Sequence, residues 1–242
     1  MNVSLSGKKI LVTGATGAIG RAVAQRLKGS GAWVAGSYLA SEEEAAGLTR
    51  QGISMIRADL SRREEAKGLV RQALQQAGEL DGLVYTAGNA RDRTLLKMSD
   101  EEWDDVLRLH LEGLMICCRE ILPAMRERKA GKLLAVGSVS GLVGRAGQAN
   151  YSAAKAATIG FMKSVAREAG RFGVSANVLL PGFVDSRMTR AAPPEAWERA
   201  KQESAMGRIS DAQVAASFAA WLLSDLCQGV TGQVFNLDSR IY

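Results

Sequence analysis

Short runs rich in Val, Ile, Leu and Ala recur along the chain, each bounded by Gly, Asn or Ser, with amphipathic helical stretches between them. Seven runs read as strands: Lys9–Thr13, Trp33–Ser37, Ile53–Arg57, Leu83–Thr86, Lys132–Gly137, Val174–Leu180 and Val234–Leu237. Most are apolar throughout rather than alternating, which requires burial on both faces and predicts a parallel sheet covered by helices. The strand–helix alternation predicts a doubly wound α/β domain with seven parallel strands and helices on both faces. No repeat, low-complexity stretch or Ser/Pro-rich linker divides residues 1–242, so one domain is expected. The irregular stretch of about 183–208, with Pro193, Pro194, Phe183 and Trp197, reads as a lid over a site.

Composition narrows the classes. At 47% hydrophobic and 23% charged residues the chain can bury a core, which excludes disordered and fibrous readings. The net charge of +6 admits acidic partners, but Lys and Arg are dispersed with no stacking motif beside them, so nucleic acid is not expected. No stretch is apolar enough for a signal peptide or a membrane span, and a cytoplasmic location is expected. Cys117 and Cys118 are neighbours and Cys227 stands alone, which predicts reduced, buried thiols. No metal site is expected.

The segment KKILVTGATGAIGRAVAQRL reads as strand, tight turn and helix, with Gly14, Gly17 and Gly20 in the turn and Ile19, Val23 and Leu27 along one helix face. A turn so poor in side chains lets backbone N–H groups and the positive end of the helix approach a pyrophosphate, so a dinucleotide site of the Rossmann type is expected here. The second strand ends Gly36-Ser37-Tyr38 without the acidic residue that would bind the ribose hydroxyls of NAD. Ser37 and Ser41 could instead donate to a phosphate, which favours NADP(H).

Tyr151 and Lys155 stand four apart in the helical stretch NYSAAKAATIGFMKSVARE, so both lie on one face about one turn apart. An ammonium beside a phenol favours phenolate and is expected to lower the tyrosine pKa from its usual ~10 toward general acid/base chemistry. Ser138, at GSVSG after an apolar strand, could donate a hydrogen bond to a carbonyl oxygen.

The order of glycine turn, Ser138, Tyr151 and Lys155, with Asp59 after the third strand, YTAG after the fourth and PGFVDSRMT after the sixth, resembles the short-chain dehydrogenase/reductase family over nearly the whole chain. Within it, ARDRTLLKMSDEEWDDVL, GQANYSAAKA and the PGF segment are most similar to the 3-oxoacyl-[acyl-carrier-protein] reductases. The resemblance implies that Gly14, Thr16, Gly17, Ala18, Ile19 and Gly20 frame the pyrophosphate. Ser37 would lie beside the adenosine ribose, Asp59 and Leu60 would meet the adenine, and Ala87 and Gly88 would pass close to the ribose. Pro181, Gly182, Val184, Ser186 and Thr189 would serve the nicotinamide carboxamide. Tyr151 would be the general acid, Ser138 would orient the carbonyl, and Lys155 would bind the nicotinamide ribose while depressing the tyrosine pKa. The implied reaction is hydride transfer from NADPH to a 3-keto carbon, with Tyr151 protonating the nascent alkoxide.

Several positions depart from the family pattern. Ala18 replaces the middle glycine, and Gly17 stands where NADPH enzymes often carry a basic residue. Tyr85-Thr86-Ala87-Gly88 replaces Asn-Asn-Ala-Gly, removing amides that tie the sheet together, and Ser239-Arg240 replaces a C-terminal glycine pair. His110, the only histidine, aligns with the fourth catalytic position, usually asparagine. That position acts chiefly through its backbone carbonyl and a helix distortion, and the similar peroxisomal-type 3-hydroxyacyl-CoA dehydrogenase domains carry His there. Retained catalysis with an altered pH dependence is expected, since imidazole titrates near 6.5.

Arg126, Arg128, Lys129 and Lys132 place four cations at one helix end, extended by Arg167 and Arg171. They suit the helix dipole, and the resemblance offers a second reading as a docking site for an acidic acyl carrier protein beside the active-site entrance. It also implies a homotetramer paired through the helices that carry Leu107–Leu122 and Ile159–Val165. The expected function is NADPH-dependent reduction of a 3-oxoacyl thioester in fatty-acid or polyketide-like synthesis. The alternatives are a 3-hydroxyacyl-CoA or other secondary-alcohol dehydrogenase, and a non-catalytic nucleotide-binding partner of an active homologue.

Overall fold

Strands that are apolar on both faces need cover on both faces, and the chain supplies it. A computed structural model describes residues 3–240; residues 1–2 and 241–242, included in the one-domain expectation, lie outside the described residues. The strands are β1 (Lys9–Thr13), β2 (Trp33–Tyr38), β3 (Ser54–Arg57), β4 (Gly82–Tyr85), β5 (Gly131–Val136), β6 (Val174–Leu180) and β7 (Val234–Asn236). They form one sheet in the order β3-β2-β1-β4-β5-β6-β7, and every pairing is parallel. This is the seven-stranded, doubly wound fold expected from the sequence. Strand ends shift by a residue where a side chain takes over from the ladder: Thr86 leaves β4 because its hydroxyl donates to the Thr13 carbonyl at 2.5 Å.

The helices are α1 (Ala18–Gly29), α2 (Glu42–Arg50), α3 (Arg63–Ala77), α4 (Asp100–Leu107), α5 (Gly113–Arg128), α6 (Ser140–Val143), α7 (Ala149–Ala169), α8 (Arg187–Arg190), α9 (Pro194–Gln202) and α10 (Ala212–Leu223). Alternate strand residues divide the core in two. Ile10, Val12, Val34, Val84, Leu134 and Leu179 pack under α1 and α10, whereas Leu11, Leu83, Leu133, Ala135, Val178 and Leu180 pack under α3, α5 and α7. The three cysteines are buried and reduced, and burial pushes the Cys117 thiol up to about 12. No helix among the described residues is long and apolar enough to cross a membrane.

The cation cluster behaves differently from the docking reading. The end of α5 feeds β5, so within one chain it lies at the N-terminal edge of the sheet, opposite the edge where parallel α/β sheets bind ligands. Arg128 pairs with Glu79 at 2.6 Å and Asp81 at 3.5 Å. Lys132 donates to the carbonyls of Leu222, Ser224 and Cys227, and Arg126 stacks 4.2 Å over the Phe172 ring. Arg128 and Lys132 therefore hold elements together, and the cluster does not border the same chain's site.

Candidate active site

The chain winds outward from β1 through β2 and β3 on one side and then through β4 to β7 on the other, so the strand order reverses at β1 and a crevice opens at the C-terminal ends of the strands. The glycine turn lies there. Gly14 has φ +61°, its N–H donates to Ser37 Oγ at 3.0 Å, and Gly17 N–H donates back to the Gly14 carbonyl at 3.0 Å. α1 then starts at Ala18, with Gly17 as N-cap and no side chain capping it. Gly20 sits on the turn so closely that a Cβ would collide with the Gly14 carbonyl and reach 2.6 Å from Thr86 Oγ1. The turn thus brings backbone to the crevice at its three glycines.

Ser37 corrects an expectation. It is 1% exposed and its hydroxyl accepts from Gly14 N–H, tying β2 to the turn, so it is not placed as a surface donor to a phosphate. Asp59 is likewise tied locally: its Oδ1 accepts from the N–H and hydroxyl of Ser61, and Arg62 lies 3.5 Å away. Leu60 is buried beside it. The substitution at Thr86 does not loosen the sheet as expected. Thr13 Oγ1 accepts from the N–H groups of Thr86 and Ala87 at 3.1 and 3.2 Å, so hydroxyls replace the missing amides.

Ser138 follows β5, and α7 brings Tyr151 and Lys155 beneath it. The start of α7 is fixed by Asn150, fully buried: its Nδ2 donates to the carbonyls of Arg91 and Glu102, both at 3.0 Å, and its Oδ1 accepts from Tyr151 N–H at 2.8 Å. Ser138 hydrogen-bonds Tyr151, which pulls the phenol pKa down, but burial outweighs that and pushes it up to about 12. Lys155 Nζ donates to the Val136 carbonyl at 2.7 Å and lies 5.7 Å from the Tyr151 ring centroid; burial pulls its pKa down to about 7. The expected acidification of the phenol by the ammonium therefore does not hold. Desolvation is the largest influence on both groups, raising the phenol and lowering the ammonium.

His110 is 2% exposed and lies in a π-helical turn, Arg108–Glu112, between α4 and α5. The Tyr85 hydroxyl donates to the Leu109 carbonyl at 2.6 Å, which accounts for tyrosine at the first position of the YTAG segment. His110 Nε2 meets the backbone of Asn89, 3.0 Å from N and 2.8 Å from O, and Nδ1 has no partner. The ring stands edge-on to Tyr151, centroids 5.3 Å apart. A Cβ on Gly88 would lie 2.5–3.3 Å from this ring, so glycine is required opposite the imidazole. Burial pulls the imidazole pKa down to about 3, so the expected titration near 6.5 does not occur: the ring is neutral throughout the physiological range.

After β6, Pro181 is buried and Gly182 turns the chain at φ +83°. Val184 is 5% exposed, and its carbonyl accepts from the Thr189 hydroxyl at 2.7 Å. Ser186 and Thr189 form the capping box of α8. The segment then crosses to its neighbours: Phe183 packs edge-on to Trp197 at 5.1 Å, Glu203 approaches Arg145 at 3.9 Å, and Arg240 pairs with Asp238 at 2.5 Å. Arg240 thus has a structural partner where the family carries glycine. Asn150, Thr13 and the Val136 carbonyl were not singled out from sequence. Only Asn150 left a signal there, as a polar residue directly before the tyrosine of a helix start.

A glycine turn at the switch point, a serine after the next strands and a Tyr-x3-Lys pair at a helix start define a short-chain oxidoreductase, and the chain belongs to the short-chain dehydrogenase/reductase family. Residues 14–239 match the family described as Enoyl-(Acyl carrier protein) reductase. The chain is similar to the 3-oxoacyl-[acyl-carrier-protein] reductase FabG of Salmonella typhimurium, with 37% identity over 99% of each chain. It is similar to the FabG of Escherichia coli K12, at 36% over the same shares, and to that of Staphylococcus aureus MW2, at 36% over 97% of this chain and 98% of the relative. Its fold matches the crystal structure of gox2181 with TM-score 0.93 and 29% identity, covering 98% and 96% of the two chains. The family binds a nicotinamide cofactor, and the glycine turn at Gly14, Gly17 and Gly20, with no side chain capping α1, fits one.

Proposed function

We propose that this protein reduces a 3-oxoacyl thioester, carried on acyl carrier protein, to the 3-hydroxyacyl thioester with NADPH. The observation that carries the reading is Tyr151: a half-buried phenol, hydrogen-bonded to Ser138 and one helical turn from Lys155, whose Nζ lies 5.7 Å from its ring centroid, at the ligand-binding edge of the sheet. NADPH, when bound, supplies the hydride. Ser138 and Tyr151 bind the keto oxygen, and Tyr151 gives up its proton there as negative charge develops.

Lys155, held by the Val136 carbonyl, binds the nicotinamide ribose. The turn from Gly14 through Thr16, Gly17, Ala18 and Ile19 to Gly20 holds the pyrophosphate. Asp59 and Leu60 flank the adenine, Ala87 and Gly88 pass the ribose, and Pro181, Gly182, Val184, Ser186 and Thr189 face the carboxamide side. His110 is a positioning residue: it locks Asn89 and stands edge-on to the Tyr151 ring.

Residues 183–208 act as the lid. Glu203 near Arg145 links them to the loop before α7, and exposed apolar side chains, Leu142 and Val143 on α6 and Met188 and Met206 on the 183–208 segment, suit an acyl chain. A carrier protein is the partner named for the FabG relatives. α10 leaves Val214, Phe218 and Trp221 along an open groove, which supports a homo-oligomer.

The reading is tested by offering the purified protein 3-oxoacyl and 2-enoyl thioesters with NADPH or NADH and following nicotinamide absorbance. Consumption of NADPH with 3-oxoacyl substrates is expected. Turnover of enoyl substrates alone, or of neither, overturns it.

A further inference from the structure

The cation that usually marks an NADPH enzyme is missing from the glycine turn, where Gly17 stands, and Ser37 is already engaged with Gly14 N–H. The structure brings two other cations to the end of β2. The turn Tyr38–Ser41 carries no acidic residue. From α8, 146 residues along the chain, Arg187 donates to Ser41 Oγ at 3.3 Å. From β3, Arg57 Nε donates to the Leu39 carbonyl at 3.1 Å.

Both guanidiniums are exposed and neither has a carboxylate partner in these contacts. Two neighbouring cations are already paired with carboxylates: Arg190 forms a two-point pair with Asp185 at 2.6 and 2.9 Å, and Arg62 lies beside Asp59 and Glu65. The carboxylates Glu42, Glu43 and Glu44 open α2 directly after Ser41. An anion at this turn therefore needs more than one cation to offset them.

We propose that Arg187, reaching from the segment after β6 to the β2–α2 turn, recognises the 2′-phosphate of the cofactor, with Ser41 and Arg57 completing the site. This deepens the NADPH reading and rests on it. A guanidinium offers paired donors that match phosphate geometry. Because Arg187 belongs to α8, it also makes the 183–208 segment respond to which dinucleotide is bound. The bond to Ser41 is long, so exchanging it for a phosphate gives up little.

The test measures Kd for NADPH and NADH by nicotinamide fluorescence, and for adenosine 2′,5′-bisphosphate and 5′-AMP by calorimetry, with no turnover involved. Arg187→Ala is expected to weaken NADPH and the bisphosphate ten- to a hundredfold, the scale of a lost charge-assisted hydrogen bond, and to leave NADH and 5′-AMP within about twofold. Arg187→Lys should recover part of the loss, and Arg57→Ala should lose about three- to tenfold on the phosphorylated pair. Equal losses on both members of a pair, or no loss, overturn the assignment of Arg187 while leaving the reductase reading intact. Wild-type protein that binds neither dinucleotide overturns both.

Discussion

His110 is the only histidine of the chain, which makes its burial measurable as a pH dependence of stability. Its imidazole falls from an ordinary 6.5 to about 3 because the ring is desolvated and Lys155 lies nearby. A basic group whose folded pKa is depressed binds its proton more readily in the unfolded chain, so folding is penalised as pH drops below 6.5 and the penalty levels off only near 3. Between about pH 7.5 and about pH 5 this single group removes about 2 kcal/mol of stability, from the linkage relation with those two pKa values. For a domain of this size that corresponds to roughly 4–8 °C in Tm. The perturbation is His110→Asn, and the assay is urea and thermal unfolding of both proteins at the two pH values. Comparing the change with pH, rather than the absolute stability, cancels every other titrating group common to both. Wild type should lose about 2 kcal/mol more than the variant over this interval. Equal losses would refute the claim that the imidazole is held neutral.

Gly88→Ala places a methyl 2.5–3.3 Å from the His110 ring; overpacking of this kind costs about 1–3 kcal/mol, to be read as a lower urea midpoint with unchanged slope. Asn150→Ala strands the carbonyls of Arg91 and Glu102 and the Tyr151 N–H, so stability should fall by about 2–3 kcal/mol. Because that change disturbs the start of α7 and not the glycine turn, kcat should fall while Kd for NADPH stays within about twofold.

Features encoded by short-range spacing were legible in the sequence. Unbroken apolar runs predicted the strands within a residue or so, and a four-residue interval placed Tyr151 and Lys155 on one helix face. Ser138 could be read because it follows directly on a buried strand. What was not legible depends on contacts between distant segments or on burial. Strand alternation does not say whether Ser37 turns toward Gly14 or toward a ligand. Arg128 and Lys132 looked like a surface patch until Glu79 and the carbonyls after α10 were brought to them. The protonation of Tyr151 and Lys155 was misread for the same reason: spacing reports that a charge is near, whereas desolvation, set by the whole fold, decides which way each pKa moves.

The most direct measurement is single-turnover oxidation of NADPH by a 3-oxoacyl thioester in wild type and Tyr151→Phe, alongside NADPH binding to both. If Tyr151 delivers the proton, its loss should slow the step by about 10²–10⁴-fold, the usual contribution of a positioned acid, with Kd for NADPH unchanged. A phenylalanine variant that turns over within a few-fold of wild type would contradict that role.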